Sequence, residues 1–393
     1  MTSRRQSALR LTRLKVRNWR NFREVEVSLT KRAIFVGPNA SGKSNLLDSV
    51  RFLRDLVKPV GGGLAAAVDE RGGLPKLRSL YARGRSTDVV VEVDVGDDEE
   101  QTIWSYRLSF TRIGKDDFAS VTEEIVWHRG VEVDAQRRSA SDDQQKLSQT
   151  LIQQAGQNVA FRELVGFFQS IRYLHIVPHV IRDPRRALDK GEDLYGGDLL
   201  ERINATPPKT RTARLRRISE ALGIAVPQFV DINLVVDKRG SPHLNVRFKH
   251  WLPNPATQNE RQLSDGTLRL IGLLWAMSER EGPLLLEEPE LSLHDDVVRQ
   301  LPAMIARMQR HSGRQVLVTT HSEAIVGERG VGTREVFRLE PGENGTVAES
   351  AADNLEVMQL VDAGFTVGEA VMPLARPKRI DQLSLFDVIG SDS

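Results

Sequence analysis

The stretch Gly37-Pro38-Asn39-Ala40-Ser41-Gly42-Lys43-Ser44 constrains this chain more than any other. Its spacing is that of a phosphate-binding loop, in which a glycine, four residues and a second glycine precede lysine and serine. Such a loop belongs between a buried strand and the first turn of a helix, and both flanks suit. Ala33-Ile34-Phe35-Val36 is a short apolar run fit for a buried strand. From Asn45 to Leu56, Leu46, Leu47, Val50, Leu53 and Leu56 recur at helical spacing. The glycines let backbone N–H groups turn inward around phosphate oxygens, and the helix N-terminus adds partial positive charge. Lys43 is then placed to reach β- and γ-phosphates, and the Ser44 hydroxyl suits Mg²⁺.

Three later stretches carry matching chemistry. Leu284-Leu285-Leu286-Glu287-Glu288 is an apolar strand that ends in two acids just before Pro289. At the tip of a strand beside a phosphate loop, Glu287 would bind Mg²⁺ through water, and Glu288 would polarise an attacking water. Val316-Leu317-Val318-Thr319-Thr320-His321-Ser322 is a second apolar strand that ends in a histidine able to reach a γ-phosphate. Leu263-Ser264-Asp265-Gly266-Thr267 opens a helical stretch from Leu268 to Met277, and serine and glycine at a helix start offer a hydroxyl and free N–H groups to an anion. Taken singly, the histidine reads as structural and the serine as an ordinary N-cap.

At 393 residues the chain exceeds one small core, so two lobes or a large insertion are expected. Hydrophobic and charged contents of 40% and 27% fit a soluble globular protein. A net charge of +2 supplies no global basic field, so any nucleic-acid contact has to come from a local patch. With no cysteine, disulfides and thiolate metal sites are excluded. No apolar run approaches about 18 residues, so no membrane span is expected. The basic N-terminus lacks the apolar centre of a signal peptide, and the cytoplasm is the expected location.

In chain order, Leu11–Val16 and Val25–Leu29 alternate as strands leading into the loop. Residues 57–73 are rich in Gly and Ala and read as a loop. Val89–Val95, Thr102–Phe110 and Val121–Val133, separated by charged turns, predict an antiparallel meander. Leu151–Ser170 has helical spacing, Tyr173–Val177 reads as a short strand, and Asp198–Asn204 and Thr212–Leu222 as helices separated by Pro207-Pro208. Val230–Val236 and Leu244–Phe248 resemble a hairpin. The expected organisation is an α/β phosphate-loop core from residues 1–60 and 256–350, an inserted lobe of antiparallel strands and helices over 61–255, and a C-terminal helical segment with a flexible tail over 351–393.

The four motifs in this order resemble ABC-type ATPases, in the branch that contains RecF, SMC and the OLD-like proteins (AAA family ATPases, AAA_21-like). The opening Asn18-Trp19-Arg20-Asn21-Phe22 is similar to that branch's Asn-Phe-Arg-Asn-Phe strand. The resemblance covers about residues 10–56 and 260–340. It makes Leu263–Thr267 the signature motif, normally Leu-Ser-Gly-Gly-Gln. Ser264 and Gly266 keep the pattern, and Asp265 and Thr267 depart from it. Leu291-Ser292-Leu293-His294 resembles the family's dimer-contact loop. The resemblance implies a P-loop NTPase fold with a mixed sheet, ATP and Mg²⁺ as cofactors, and a homodimer. ATP on Gly37–Asn45 of one subunit is capped by Ser264 and Gly266 of the other, with Lys43, Glu288 and His321 as catalytic residues and Ser44 and Glu287 at the metal. No Gln-loop is evident, and Tyr173–Arg182 is the stretch that could supply an equivalent contact. The absence of sustained heptads predicts no long coiled arm, and too little chain follows residue 340 for the nuclease domain of OLD proteins.

The expected function is ATP-driven dimerisation coupled to a nucleic-acid task, DNA repair or anti-phage defence, with a separate effector such as a nuclease or toxin. Two other readings stand beside it: a regulatory switch that binds ATP with little turnover, and the motor subunit of a transporter. Lys209–Arg217 could contact a phosphate backbone or be a solvated helix face, and the same holds for Arg182, Arg185 and Arg186. Gln382-Leu383-Ser384-Leu385-Phe386 looks like the peptide that bacterial repair proteins insert into a sliding clamp, with Gln382, Leu383, Leu385 and Phe386 as anchors. The alternative is a tail packed on its own domain.

Overall fold

The computed structural model describes residues 8–82, 87–112, 118–137, 147–154, 159–183, 193–249, 254–279 and 282–377, with 380 and 382. Arg185 and Arg186 lie outside the described residues, as do Leu383, Leu385 and Phe386 of the expected clamp peptide.

The chain opens with an antiparallel hairpin, β1 (Arg10–Trp19) and β2 (Phe22–Ser28). Strand β3 (Arg32–Val36) follows and runs through the glycine loop into the helix Lys43–Leu56, the loop helix. β4 (Val89–Gly96), β5 (Trp104–Arg112), β6 (Ala119–His128) and β7 (Val131–Arg137) form the expected meander. The run expected over 121–133 folds back at Arg129-Gly130, where both residues have positive φ, the geometry of a tight hairpin turn. β4 also pairs with β1, so these strands make one six-stranded sheet in the order β2-β1-β4-β5-β6-β7. Later come β8 (Arg172–Leu174), β9 (Phe229–Val236), β10 (Pro242–Phe248), β11 (Ala256–Gln258), β12 (Leu284–Glu287), β13 (Val316–Thr319), β14 (Val336–Glu340) and β15 (Val347–Ser350). The central sheet runs β15-β14-β3-β13-β12-β8 and is parallel except for β15. A three-stranded sheet, β11-β10-β9, completes the set.

The sheets cross the divisions expected at residues 60 and 255. β4–β7 extend the sheet begun by β1 and β2, and β8 is an edge strand of the central sheet. Pairing across so long a stretch of chain leaves no local mark, because each strand's own pattern is the same whichever partner it finds.

The central strands are apolar throughout because both their faces are covered. Phe35, Leu285 and Leu317 enter one core, with the six-stranded sheet and the loop helix. Their neighbours Ile34, Val36, Leu284, Leu286, Val316 and Val318 enter a second, with the helix Asp265–Ser278, the signature helix, and the helix Asp295–Ser312. Leu46, Leu47, Val50, Leu53 and Leu56 are all buried in the first core, as their spacing predicts. Among the described residues no helix exceeds 18 residues, and none is long and apolar enough to cross a membrane.

Residues 57–73 are not all loop. Leu64–Asp69 is a helix that buries Leu64, Ala67 and Val68. It is fixed by charge as well as by apolar contact. The Arg71 side chain is fully buried and reaches Asp48 at 2.9 Å and Asp55 at 2.8 Å on the loop helix, and its guanidinium lies over the Phe52 ring at 5.1 Å. Burial would raise the Asp55 carboxyl, but Arg71, Arg54, Arg51 and Lys58 hold it well below the carboxylate range. Replacing Arg71 by methionine leaves two buried acids short of a cation. We expect a loss of about 3–5 kcal/mol, seen as a lower urea midpoint with the denaturant slope unchanged.

Candidate functional site

Parallel register sets the ends of β3, β13 and β12 level. Phe35 lies opposite Thr319, which lies opposite Glu287. The loops that leave these strands therefore meet at one carboxyl edge, the usual ligand edge of a parallel α/β sheet. Gly37–Ser44, Glu287–Glu288 and His321 all fall there.

Gly42 is where the loop needs glycine. Its φ is +98°, and a Cβ there would meet Asn21 Nδ2 at 2.1 Å. Asn21 sits in the corner between β1 and β2 and braces the loop from outside. Its Nδ2 donates to the Ser41 carbonyl at 2.9 Å and to Thr346 Oγ1 at 2.7 Å, and its Oδ1 accepts from Asn45 Nδ2 at 2.7 Å. Asn39 and Ala40 form the exposed tip, next to half-buried Pro38. The Lys43 ammonium lies inside the curve and donates to the carbonyls of Gly37 at 3.0 Å and Pro38 at 3.2 Å. Only 5% of Lys43 is exposed. Desolvation pulls its pKa below the usual lysine value, against the opposing charges of Glu288, Glu290 and Glu287.

The two acids differ in their surroundings. Ser44 Oγ donates to Glu287 Oε1, and the Tyr173 hydroxyl, from β8, donates to Glu287 Oε2. Desolvation raises the Glu287 pKa and the charge of Glu288 adds to that, opposed by the Ser44 hydrogen bond. Glu288 turns out of the strand with φ +43°, an uncommon backbone state for a residue with a side chain. It is anchored by its N–H on the Thr319 carbonyl at 3.0 Å. Its Oε1 lies 3.1 Å from His321 Nε2, and that hydrogen bond holds its pKa below the usual value despite partial desolvation. Glu290 fastens the same corner, accepting from Thr320 Oγ1 at 2.5 Å and His321 N at 3.0 Å.

Ser44 and Glu287 are hard oxygen donors side by side, a set that fits Mg²⁺. Among the described residues no group of three or more His, Cys, Asp or Glu side chains could hold a metal alone. Such a pair is typical of ions that share their shell with phosphate oxygens and water.

Ser264 and Gly266 stand at the start of the signature helix. Ser264 caps the signature helix, accepting from Thr267 N at 3.2 Å, and is exposed. A Cβ on Gly266 would meet the Ser292 carbonyl at 2.4 Å, so this turn packs on the loop after the acids. Among the described residues no hydrogen bond joins Ser264 or Gly266 to the phosphate loop of the same chain. Asn21 was not expected at the site, although its stretch carried a signal through the resemblance. Tyr173 and Arg182 are the ends of the stretch that could replace the Gln-loop, with no role expected of either residue.

A buried parallel sheet, a glycine loop opening a helix and a strand-tip acid pair define a P-loop ATPase domain. The chain belongs to the family described as "AAA domain, putative AbiEii toxin, Type IV TA system", whose model matches residues 32–327. No curated protein matches the chain in sequence. The fold is that of SMC heads. It resembles an SMC head bound to the C-winged helix domain of ScpA, at 13% identity and TM-score 0.53, over 89% of this chain and 99% of that one. A Pyrococcus furiosus Smc head with an extended coiled coil, bound to the C-terminal domain of ScpA, gives 12% identity and TM-score 0.53 over 90% and 100%. A Pyrococcus yayanosii Smc head with coiled coil and joint gives 11% and 0.51 over 90% and 100%.

Proposed function

We propose that the protein binds and hydrolyses ATP, dimerises around it, and uses that cycle in a nucleic-acid task together with a separate effector protein. One observation carries the reading. The phosphate-side residues Lys43, Ser44, Glu287, Glu288 and His321 gather at one sheet edge, while the signature N-terminus at Ser264 is exposed and bonded to no part of its own phosphate loop. Each chain then has an anion-binding helix start to offer and a γ-phosphate to be covered.

The backbone of Gly37–Gly42 and Lys43 bind the phosphates, Glu288 takes the proton of the attacking water, and His321 orients Glu288. Mg²⁺ would be held by Ser44 and Glu287, and it would neutralise charge on the β- and γ-phosphates. The task is DNA repair or anti-phage defence, with DNA and a nuclease or toxin as partners, and membership of a family described as a putative toxin of a toxin–antitoxin system supports the defence reading. A second reading is a regulatory switch with slow turnover, which Asp265 would favour to the extent that its charge, paired with Arg182 at 2.5 Å, still opposes a triphosphate. Phosphate release with and without duplex DNA separates the two.

Ser264→Arg tests the composite site. Ser264 is exposed and makes no hydrogen bond to its own phosphate loop among the described residues, so an arginine there would obstruct a second copy rather than its own loop. ATP affinity of the monomer is expected to stay within about twofold, while ATP-dependent dimer and turnover fall by about 10²-fold. Equal loss of monomer affinity, measured by equilibrium dialysis, would overturn the reading.

A further inference from the structure

In the composite site Asp265 would stand beside the mate's γ-phosphate, where the signature normally has glycine. The structure gives this acid a cation. Arg182, the last residue of the short helix Pro178–Arg182, donates to Asp265 Oδ1 at 2.5 Å and to the Leu263 carbonyl at 2.7 Å. A single guanidinium thus grips the signature loop on both sides of Ser264. The Arg182 side chain is 19% exposed and the Asp265 side chain 47%, so the cation is anchored and the acid is at the surface. One turn further along the signature helix, Arg269 is 7% exposed, and its Nε has no hydrogen-bond partner among the described residues. Desolvation pulls the Arg269 pKa down, against the charges of Asp265, Glu290 and Glu288.

We infer that Arg182 is a positioning residue that neutralises Asp265 and fixes its loop, so that Ser264 and the free N–H groups, rather than a carboxylate, meet the triphosphate of the partner copy. This rests on the composite-site reading above. Without its arginine the acid would face several negative charges at short range, where repulsion is weakly screened. With it, the loop is close to neutral, and the helix N-terminus decides the sign of the local field. The placement of Arg182 has a second consequence. It lies on the segment that begins at β8, where Tyr173 donates to Glu287. Residues 173–182 therefore touch the acid beside Ser44 in one nucleotide site and the loop offered to the other.

The test compares Arg182→Ala, Asp265→Gly, the double variant and the parent for Mg-ATP-dependent dimerisation by light scattering and for phosphate release. Arg182→Ala is expected to weaken dimerisation by about tenfold or more. Asp265→Gly is expected to retain or strengthen it, and the double variant to recover to within about threefold of Asp265→Gly, because the charge to be neutralised is gone. A double variant as poor as Arg182→Ala would make the arginine a structural strut and overturn the inference, as would an Arg182→Ala protein that dimerises like the parent. Should Arg182→Ala fail to fold, Arg182→Lys, alone and combined with Asp265→Gly, gives the same comparison. A defect present with the aspartate and absent once Asp265→Gly is added is expected, and a defect in both overturns the inference. Glu288→Gln is run alongside. If it stays monomeric in ATP, the composite site falls and this role with it. If it dimerises while the double variant does not recover, the composite site stands and only the role of Arg182 falls.

Discussion

Glutamine at position 288 is expected to leave a protein that binds ATP and remains dimeric in it, while phosphate release falls by about 10²–10⁴-fold. The side chain keeps its volume and can still hydrogen-bond His321 Nε2, now 3.1 Å from Glu288 Oε1. The backbone turn at φ +43° is held by the Thr319 carbonyl and not by the carboxylate charge. What is lost is the ability to accept a proton from water. The His321 hydrogen bond keeps Glu288 ionised to a lower pH than an ordinary glutamate, so the base form is present across the neutral range and its loss cannot be mimicked by mild acid. Glu287 contrasts with this. Its pKa is raised by desolvation and by Glu288, so a cation beside it is what stabilises its charge. Glu287→Gln should therefore raise the Mg²⁺ requirement, whereas Glu288→Gln should leave it unchanged. Phosphate release and gel filtration in Mg-ATP decide the matter. A Glu288→Gln protein that turns over within about tenfold of the parent would remove this residue from proton transfer.

The glycine loop and the acid-tipped strand of the candidate site were legible as structure because they are written in contiguous residues. Gly37–Ser44 must be one loop, and three leucines before Glu287 must be a buried strand, whatever the rest of the chain does. The five apolar positions of the loop helix and the meander of β4–β6 were legible for the same local reason. The failures are non-local. Tyr173 and Arg182 lay in a stretch that could replace the Gln-loop, but their partners were hidden, because an ordinary tyrosine and arginine gain these contacts only when β8 pairs beside β12 and carries them to Glu287 and Asp265. The helix Leu64–Asp69 was hidden by its glycine-rich flanks and by its length of six residues. It is held by Arg71 and its buried acids, an arrangement that periodicity does not register. The pairing of β1 with β4 across the loop helix, which crosses the division expected at residue 60, left no local mark either. Asp265 was visible as a departure from the signature pattern, but its consequence depended on the cation that meets it.

Lys43→Ala is expected to reduce ATP affinity by about 10²–10³-fold, the loss of charge-assisted hydrogen bonds of about 1.5–3 kcal/mol each to the phosphates. The same substitution should leave the protein without nucleotide as stable as before, or slightly more so. The reason is the environment of the ammonium. It is 5% exposed and holds two backbone carbonyls, and its pKa lies below the unfolded value because desolvation outweighs the surrounding acids. The sign follows from linkage. A lysine whose folded pKa is depressed binds its proton less tightly in the fold than in the unfolded chain, so its charge costs stability at neutral pH. That cost fades as pH rises from the folded pKa towards 10.5. Alanine removes both the cost and its pH dependence. A thermal melt shows both effects together. ATP at about a hundred times its dissociation constant should stabilise the parent by about 2.7 kcal/mol and the variant by almost nothing, while the two melt alike without it. An Lys43→Ala protein that collapses without nucleotide would mean that the lysine is a strut of the loop, held there for its two carbonyl bonds. One that still gains stability from ATP would mean that the phosphates bind somewhere other than the curve of Gly37–Ser44.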